Sequence, residues 1–320
     1  MADTPENDPA DNLGDRMQAD VEFMETHGIA DRYAFTSAIF TKATFPHSAR
    51  GAGSGRITLK NGDMTVTMTN TAGGALPYGH YARLVMFWLT REACQRYNDA
   101  NIPDLAAKRT IPLGKSAQRI MREMGILKPG QRADSRRYKA LNTQLESIAN
   151  TVIYTRHDLT RTQGSGFHDR KALVADETYF WWERGDKGED LSNGSYIVLS
   201  EAFFTELATH AVPLDAIHIA KIYRSPLALD LYSWAAHRIH THSGHTRVTW
   251  QQLKGQIGTN YPDTDRGLRN FKTMTRTAIE RIADAWPESG IKEWENGVML
   301  TGKTTPVDPK ITPPPTEPRF

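Results

Sequence analysis

The sequence predicts an α+β protein in which one helical unit, closed by a β-hairpin, occurs twice in tandem. Three observations predict it. Two stretches repeat one pattern at a constant offset of 133 residues: Ile120, Met124, Gly125, Pro129, Arg136, Tyr138 and Lys139 answer to Leu253, Ile257, Gly258, Pro262, Arg269, Phe271 and Lys272. Apolar residues then recur every three or four positions after each turn, through Tyr138, Leu141, Leu145 and Ile148, and through Phe271, Met274, Ala278 and Ile282. Each long helix is followed by β-favouring stretches: residues 151–155, 171–174 and 178–182 after the first, and the two flanks of Glu295-Asn296-Gly297 after the second.

The repeated spacing has a direct physical reading. An apolar pair four apart followed by Gly is a short helix with a stop. The Pro four residues on keeps the turn non-helical, and Arg-x-aromatic-Lys opens a longer basic helix. A helix, a tight turn and a second helix carrying cations form a helix-turn-helix, and a following hairpin makes it a winged helix. The expected architecture is therefore tandem winged-helix domains (helix-turn-helix plus β-wing).

In chain order, residues 1–35 form an acidic head, Asp/Asn/Pro-rich and disordered to about residue 14. A first winged-helix domain over residues 36–195 begins with a flexible loop at residues 50–55. A hairpin with a type I′ turn at Asn61-Gly62 follows, because Ile57, Leu59, Met64, Val66 and Met68 alternate around it. Leu84, Val85, Trp88 and Leu89 mark a strongly apolar helix; a short helix follows over about residues 115–124, and Asp134 or Ser135 caps the basic one. A second domain, residues 196–302, starts with the strand 196–199. It continues through helices opened by Ser200, Pro213 and Ser225-Pro226, a helical segment over residues 248–257, and a basic helix over residues 263–284. The tail, residues 303–320, has six prolines in 18 residues and is expected to be disordered.

A net charge of +2 hides an asymmetry. The first 31 residues carry −8 and the rest +10, while residues 108–139 alone carry +8. A basic body with its charge gathered around one helix suits a polyanionic partner such as nucleic acid. The candidate contacts fall in three groups. Around the first basic helix they are Arg132, Arg136, Arg137 and Lys139, with Thr143, Gln144 and Ser147 on the same outward face. In the loop expected between the following strands, a long cationic wing, they are Arg156, Arg161 and Arg170, with His157 and His168. On the second helix they are Arg266, Arg269, Asn270, Lys272, Thr273 and Arg276.

Other chemistry is weaker. Gly114-Lys115-Ser116 resembles the end of a phosphate-binding loop, but Arg109 stands where the first glycine belongs and Pro112 interrupts the approach, so a helix start is the better reading. His237, His240, His242 and His245 would serve a metal-dependent nickase. Ser243-Gly244 at a helix end instead favours a solvated terminus whose partial cations suit the dipole. Trp181-Trp182 has the composition to stack on unpaired bases, although packing is expected for at least one of the two. Cys94 is the single cysteine and reads as a small core residue, which excludes disulfides within the chain and fits a reducing cytosol. No metal or cofactor is expected, no catalytic pair rises above background, and no stretch is long enough to span a bilayer.

Leu76-Pro77-Tyr78-Gly79, residues 121–125 (Met-Arg-Glu-Met-Gly), residues 225–232 (Ser-Pro-Leu-Ala-Leu-Asp-Leu-Tyr) and residues 267–272 (Gly-Leu-Arg-Asn-Phe-Lys) together resemble the RepA-type plasmid replication initiators. The likeness covers roughly residues 36–301. It implies a non-enzymatic, cytoplasmic protein that binds repeated double-stranded sites at a plasmid origin, opens the origin, recruits host replication-initiation and helicase-loading proteins, and represses its own promoter as a homodimer. The family's basic-helix motif places Arg269 and Lys272 in that role, and residues 225–232 in packing. The histidines after Trp234 and the acidic head depart from the family pattern. Two other readings compete: a winged-helix transcriptional regulator, and an origin nickase using the cluster His237–His245.

Overall fold

The computed structural model describes residues 9–29, 31–114, 116–161, 164–180, 194–242, 244–258 and 260–307. The first half of the chain contains α1 (Pro9–His27), β1 (Tyr33–Ser37), α2 (Ala49–Ala52), β2 (Arg56–Asn61), β3 (Met64–Asn70), α3 (Gly79–Asn98), α4 (Leu105–Arg109), β4 (Thr110–Gly114), α5 (Ala117–Glu123), α6 (Ser135–Ala149), β5 (Thr151–Arg161), β6 (Gly164–Leu173), β7 (Ala175–Tyr179) and β8 (Ser195–Leu199). The second half contains α7 (Glu201–Thr209), β9 (Ala211–Asp215), α8 (Ala216–Ile222), α9 (Pro226–Thr241), β10 (Thr246–Thr249), α10 (Trp250–Ile257), α11 (Asp265–Ala285), β11 (Ile291–Trp294) and β12 (Gly297–Leu300). The chain is α+β.

One succession occurs twice. α3, β4, α5, α6, β7 and β8 correspond in order to α9, β10, α10, α11, β11 and β12. Each trio of strands makes an antiparallel sheet with its first strand beside its last, β4–β8–β7 and β10–β12–β11. The expected boundary at residues 195/196 therefore cuts through a strand: β8, expected to open the second unit, is the central strand of the first unit's sheet.

Between α6 and β7 the first unit carries an insertion. Residues 156–170, expected as a loop, are mostly strand. β5 and β6 pair from Val152↔Leu173 out to Arg161↔Gly164, and β5 joins β3 to build the four-stranded sheet β2–β3–β5–β6. β-Branched and aromatic residues from Val152 to Thr155 start the ladder. Pairing then satisfies the backbone groups that a loop would leave to water.

Local chemistry sets the helix ends. Asp134 caps α6 by accepting from Arg137 N (2.8 Å), and Thr264, not Asp263, caps α11 by accepting from Gly267 N (3.1 Å). Ser225 caps α9 with Pro226 at its first turn, and Ser116 caps α5 directly after β4, so the segment resembling a phosphate loop is a helix start. Several expected elements shift. The acidic head is helical from Pro9, and residues 1–8 lie outside the described ones. The loop at residues 50–55 is partly the one-turn helix α2, with Ala52 fully buried. Pro213 lies inside β9, and α8 opens at Ala216 under an Asp215 cap. Val248 belongs to β10. In the β2–β3 hairpin the turn residues are Gly62 and Asp63; Gly62 has φ +60° and Asp63 does not, the pattern of a II′ turn.

Both units share one apolar core. α3 buries Leu84, Val85, Trp88 and Leu89 against β1, α6, α7 and α9. Cys94 is buried there, its thiol pushed up to about 12 by desolvation, as a core residue should be. Across the joint runs a buried ionic node. Arg83 of α3 bonds both carboxylate oxygens of Asp230 on α9 (2.6 Å each) and the Phe45 and Gly79 carbonyls (2.7 and 2.8 Å), and His47 Nε2 completes Asp230 at 2.8 Å. Burial pulls the Asp230 carboxyl up, but the Arg83 guanidinium and the His47 hydrogen bond hold it below its usual range.

Candidate nucleic-acid interface

α11 displays its cations because the inward positions are taken by Phe271, Thr275, Ala278 and Ile282, all buried. Met274, expected inward, is 51 % exposed, and Thr275 takes its place. At 100° per residue Met274 falls at the edge of the apolar stripe, whereas Thr275 lies on its centre. On the opposite side Arg266, Arg269, Asn270, Thr273 and Arg276 share one exposed stripe. Arg266 and Arg269 have no ion-pair or side-chain hydrogen-bond partner among the described residues, and both point into solvent. Thr273 Oγ1 donates back to the Arg269 carbonyl (3.1 Å). Arg276 is engaged. Its guanidinium makes a two-pronged bond to Glu293 on β11 (2.8 and 2.7 Å), which ties the hairpin to the helix and holds the Glu293 carboxyl below its ordinary value. Lys272 is half-buried, its Nζ 5.8 Å from the centre of the Trp250 ring.

On α6, Arg136 and Lys139 are exposed and Arg137 half-exposed, with Arg132 exposed in the preceding turn. Gln144 and Ser147, expected on the outward face, are buried. Gln144 Oε1 accepts from Tyr78 N (2.7 Å), and Ser147 Oγ donates to the Ala75 carbonyl (2.6 Å), so both anchor the approach to α3. Arg136, Lys139 and Thr143 line a groove of about 320 Å³ with His80 and Tyr81 at the start of α3. Sequence reasoning missed these last two; their only signal was the Leu76-Pro77-Tyr78-Gly79 motif just before them. Burial, and after it the nearby Arg83 and Arg224, keep the His80 imidazole below its ordinary value.

The third group lies on the inserted strands. Arg156 is paired with Asp158 (2.8 Å) and stacked on Phe167, 4.1 Å from the ring centre. Arg170 is exposed on β6, and the side chain of Arg161, the last residue of β5, lies outside the described ones. The three groups thus sit on α6 and the turn before it, on α11, and on the β5–β6 strand pair. Trp181 and Trp182 lie outside the described residues. The histidines after Trp234 do not converge: among the described residues no three His, Cys, Asp or Glu side chains are placed to hold a metal. His237 is brought down to about 4, first by burial and then by Lys42, Arg238 and its histidine neighbours.

Residues 76–252 match the family described as plasmid encoded RepA protein. The chain belongs to that family. The match runs from the motif before α3 to the start of α10, so it spans the first unit and the entry to the second. No curated protein matches this chain. Two crystal structures are similar to it: selenomethionine derivatives of domains 2 and 3 of RctB, at TM-score 0.48 and 11% identity over 84% of this chain and 97% of that one, and RctB domains 2–3, at TM-score 0.45 and 14% identity over 82% and 94%. At that level neither lends this RepA-type protein a site or a partner. No helix among the described residues is long and apolar enough to cross a membrane.

Proposed function

We propose that this RepA-type replication initiator is a tandem winged-helix protein that binds double-stranded DNA sequence-specifically at repeated sites in a plasmid origin. α6 and α11 are the major-groove helices. Arg136 and Lys139 on the first, and Arg266, Arg269 and Asn270 on the second, meet base edges and phosphates. The hairpins and the inserted strands contact the duplex backbone through Arg161 and Arg170, Arg156 being paired with Asp158. Arg276 holds the second hairpin against its helix and so presents Arg269. The protein acts in the cytoplasm without a catalytic step of its own, hands the opened origin to host replication and helicase-loading proteins, and represses its own promoter as a dimer.

The observation that carries this reading is the repeated helix–strand–helix–helix–hairpin succession, with exposed cations on both long helices that have no ion-pair partner among the described residues. Family membership adds the plasmid context. DNase footprinting on the DNA flanking the protein's own gene tests it. Direct repeats are expected; one inverted operator would make the protein a transcriptional regulator instead. Supercoiled origin DNA incubated with protein and divalent metal is expected to stay supercoiled, and relaxation would mean a nickase.

A further inference from the structure

Phe167 on β6 is the most exposed large apolar side chain among the described residues, at 57 %, and Leu159, at 41 %, lies one pair further out on β5. Both sit where the β5–β6 arm has left its neighbour behind: β3 accompanies β5 only as far as His157, while β5 and β6 go on pairing to Arg161↔Gly164. This phenylalanine lies outside the apolar core formed by the described residues.

Its surroundings specify what it suits. The Arg156 guanidinium covers one face of the ring at 4.1 Å and is itself paired with Asp158 at 2.8 Å. The ring's remaining exposure leaves its other side to solvent. Tyr154, which faces Lys171 across the strand pair, lies on the same side of the arm as Phe167, since Asp158 is opposite Phe167 and side chains alternate. Lys171 Nζ sits 5.9 Å from the Tyr154 ring centre, and the Tyr154 hydroxyl donates to Asp169 (3.3 Å). The face thus carries two aromatic rings, each with a cation over it, about 14 Å apart along the strand at roughly 3.4 Å per residue. Aromatic rings interleaved with cations on a strand surface are what a single nucleic-acid strand requires: rings stack with bases and cations track the phosphates.

We propose that this face of the β5–β6 arm binds single-stranded DNA, with an unpaired base stacking on the open side of Phe167 and the backbone passing Arg156 and Lys171. The inference rests on the proposed initiator reading and deepens it: the arm takes one strand of the DNA that the two helices hold as duplex. Binding of the full-length protein to a labelled mixed-sequence 20-mer single strand, and separately to its duplex origin repeat, tests it. Phe167→Ala is expected to weaken single-strand binding about 10-fold, in the range of one lost base stack, with duplex affinity and the salt slope of single-strand binding unchanged. Phe167→Trp should restore it and Phe167→Leu should not, because stacking needs an aromatic face. A 2-aminopurine base in the oligonucleotide should be quenched by the wild type and not by Phe167→Ala. Equal single-strand affinity for Phe167→Ala and wild type, or full rescue by leucine, overturns the proposal. Loss of duplex binding by the wild type itself would instead overturn the initiator reading.

Discussion

The two units are built on one succession yet differ in how much each adds to it. The second is minimal: α11 is followed by a hairpin whose strands are joined by Glu295 and Asn296 alone, and Arg276–Glu293 fixes that hairpin to the helix. The first keeps the same sheet order but splits helix from hairpin with the β5–β6 insertion, which allies itself with β2 and β3. Their helix starts differ as well. At the offset of 133, Ser135 corresponds to Leu268, yet α11 begins at Asp265, three residues earlier. Gly267 permits this: a Cβ there would stand 2.0 Å from the Pro262 carbonyl oxygen, so only glycine lets the turn close against the extra helical turn. The comparison teaches that a repeated motif preserves the turn and the inward stripe, while cap position and hairpin accessories are free to diverge.

The largest effect should come from the joint the units share. Asp230→Ala leaves Arg83 buried without its carboxylate, and about 3–5 kcal/mol of stability should be lost in urea unfolding. One cooperative transition is expected for wild type and variant, since the core is continuous; two separate transitions would show that the halves fold independently. Gly267→Ala should follow, costing about 1–3 kcal/mol through overpacking at the α11 turn. Asp134→Ala, the residue at the matching offset, should cost only about 1 kcal/mol as a lost cap. Equal losses would erase the difference between the two helix starts.

Binding should separate the units next. Arg269→Ala is expected to weaken specific binding by about 1–3 kcal/mol and relax one base position. A gel-shift series with unchanged affinity and preference would remove α11 as the reading helix. Stability should also depend on pH in a stated direction. Burial holds His47, His80 and His218 below their ordinary value of 6.5, and His237 at about 4. The unfolded chain therefore takes up protons that the folded one refuses. Stability is full above about pH 6.5 and declines as the pH falls toward 4; a urea midpoint no lower at pH 5 than at pH 7.5 would contradict this. The smallest effect is on the arm: Arg170→Ala should lower affinity on all sequences alike and reduce the slope of log K against log salt by about one. A changed base preference at constant slope would make the arm a reader of sequence.

Much of this was legible because two helices joined by a short turn write themselves locally: Gly and Pro at the turn, apolar residues at helical spacing, an Asp or Thr at the cap. The insertion was not, because residues 156–170 carry polar side chains that read as loop, and beyond His157 they are strand only through the pairing of β5 with β6. Gln144 and Ser147 misled for a related reason. A polar side chain on a helix is assigned to solvent by pattern alone, and here the Tyr78 amide and the Ala75 carbonyl satisfy them inside. Phe167 escaped notice because one phenylalanine in a polar run carries no periodic signal. In the candidate site, the identity of the cations was readable, but which of them are spent on internal partners was not: Arg276 and Arg156 look like Arg269 in sequence and differ from it only by Glu293 and Asp158.

The turn between α10 and α11 does more than connect them. With its amide oxygen toward the chain at the first unit, Asn260 accepts from His47 N (2.6 Å) and Ser48 N (3.1 Å), and Tyr261 sets its ring edge-on to His47. The second unit's turn is therefore latched to the first beside the ionic node at Asp230. In the proposed complex this makes the protein a ruler: two reading helices on a stiff frame fix both the distance and the rotation between the DNA segments they touch. One base pair inserted between those segments turns the second by roughly 35° about the duplex axis. Without a slack tether to absorb the mismatch, affinity should fall abruptly with the first inserted pair and return when a full turn has been added.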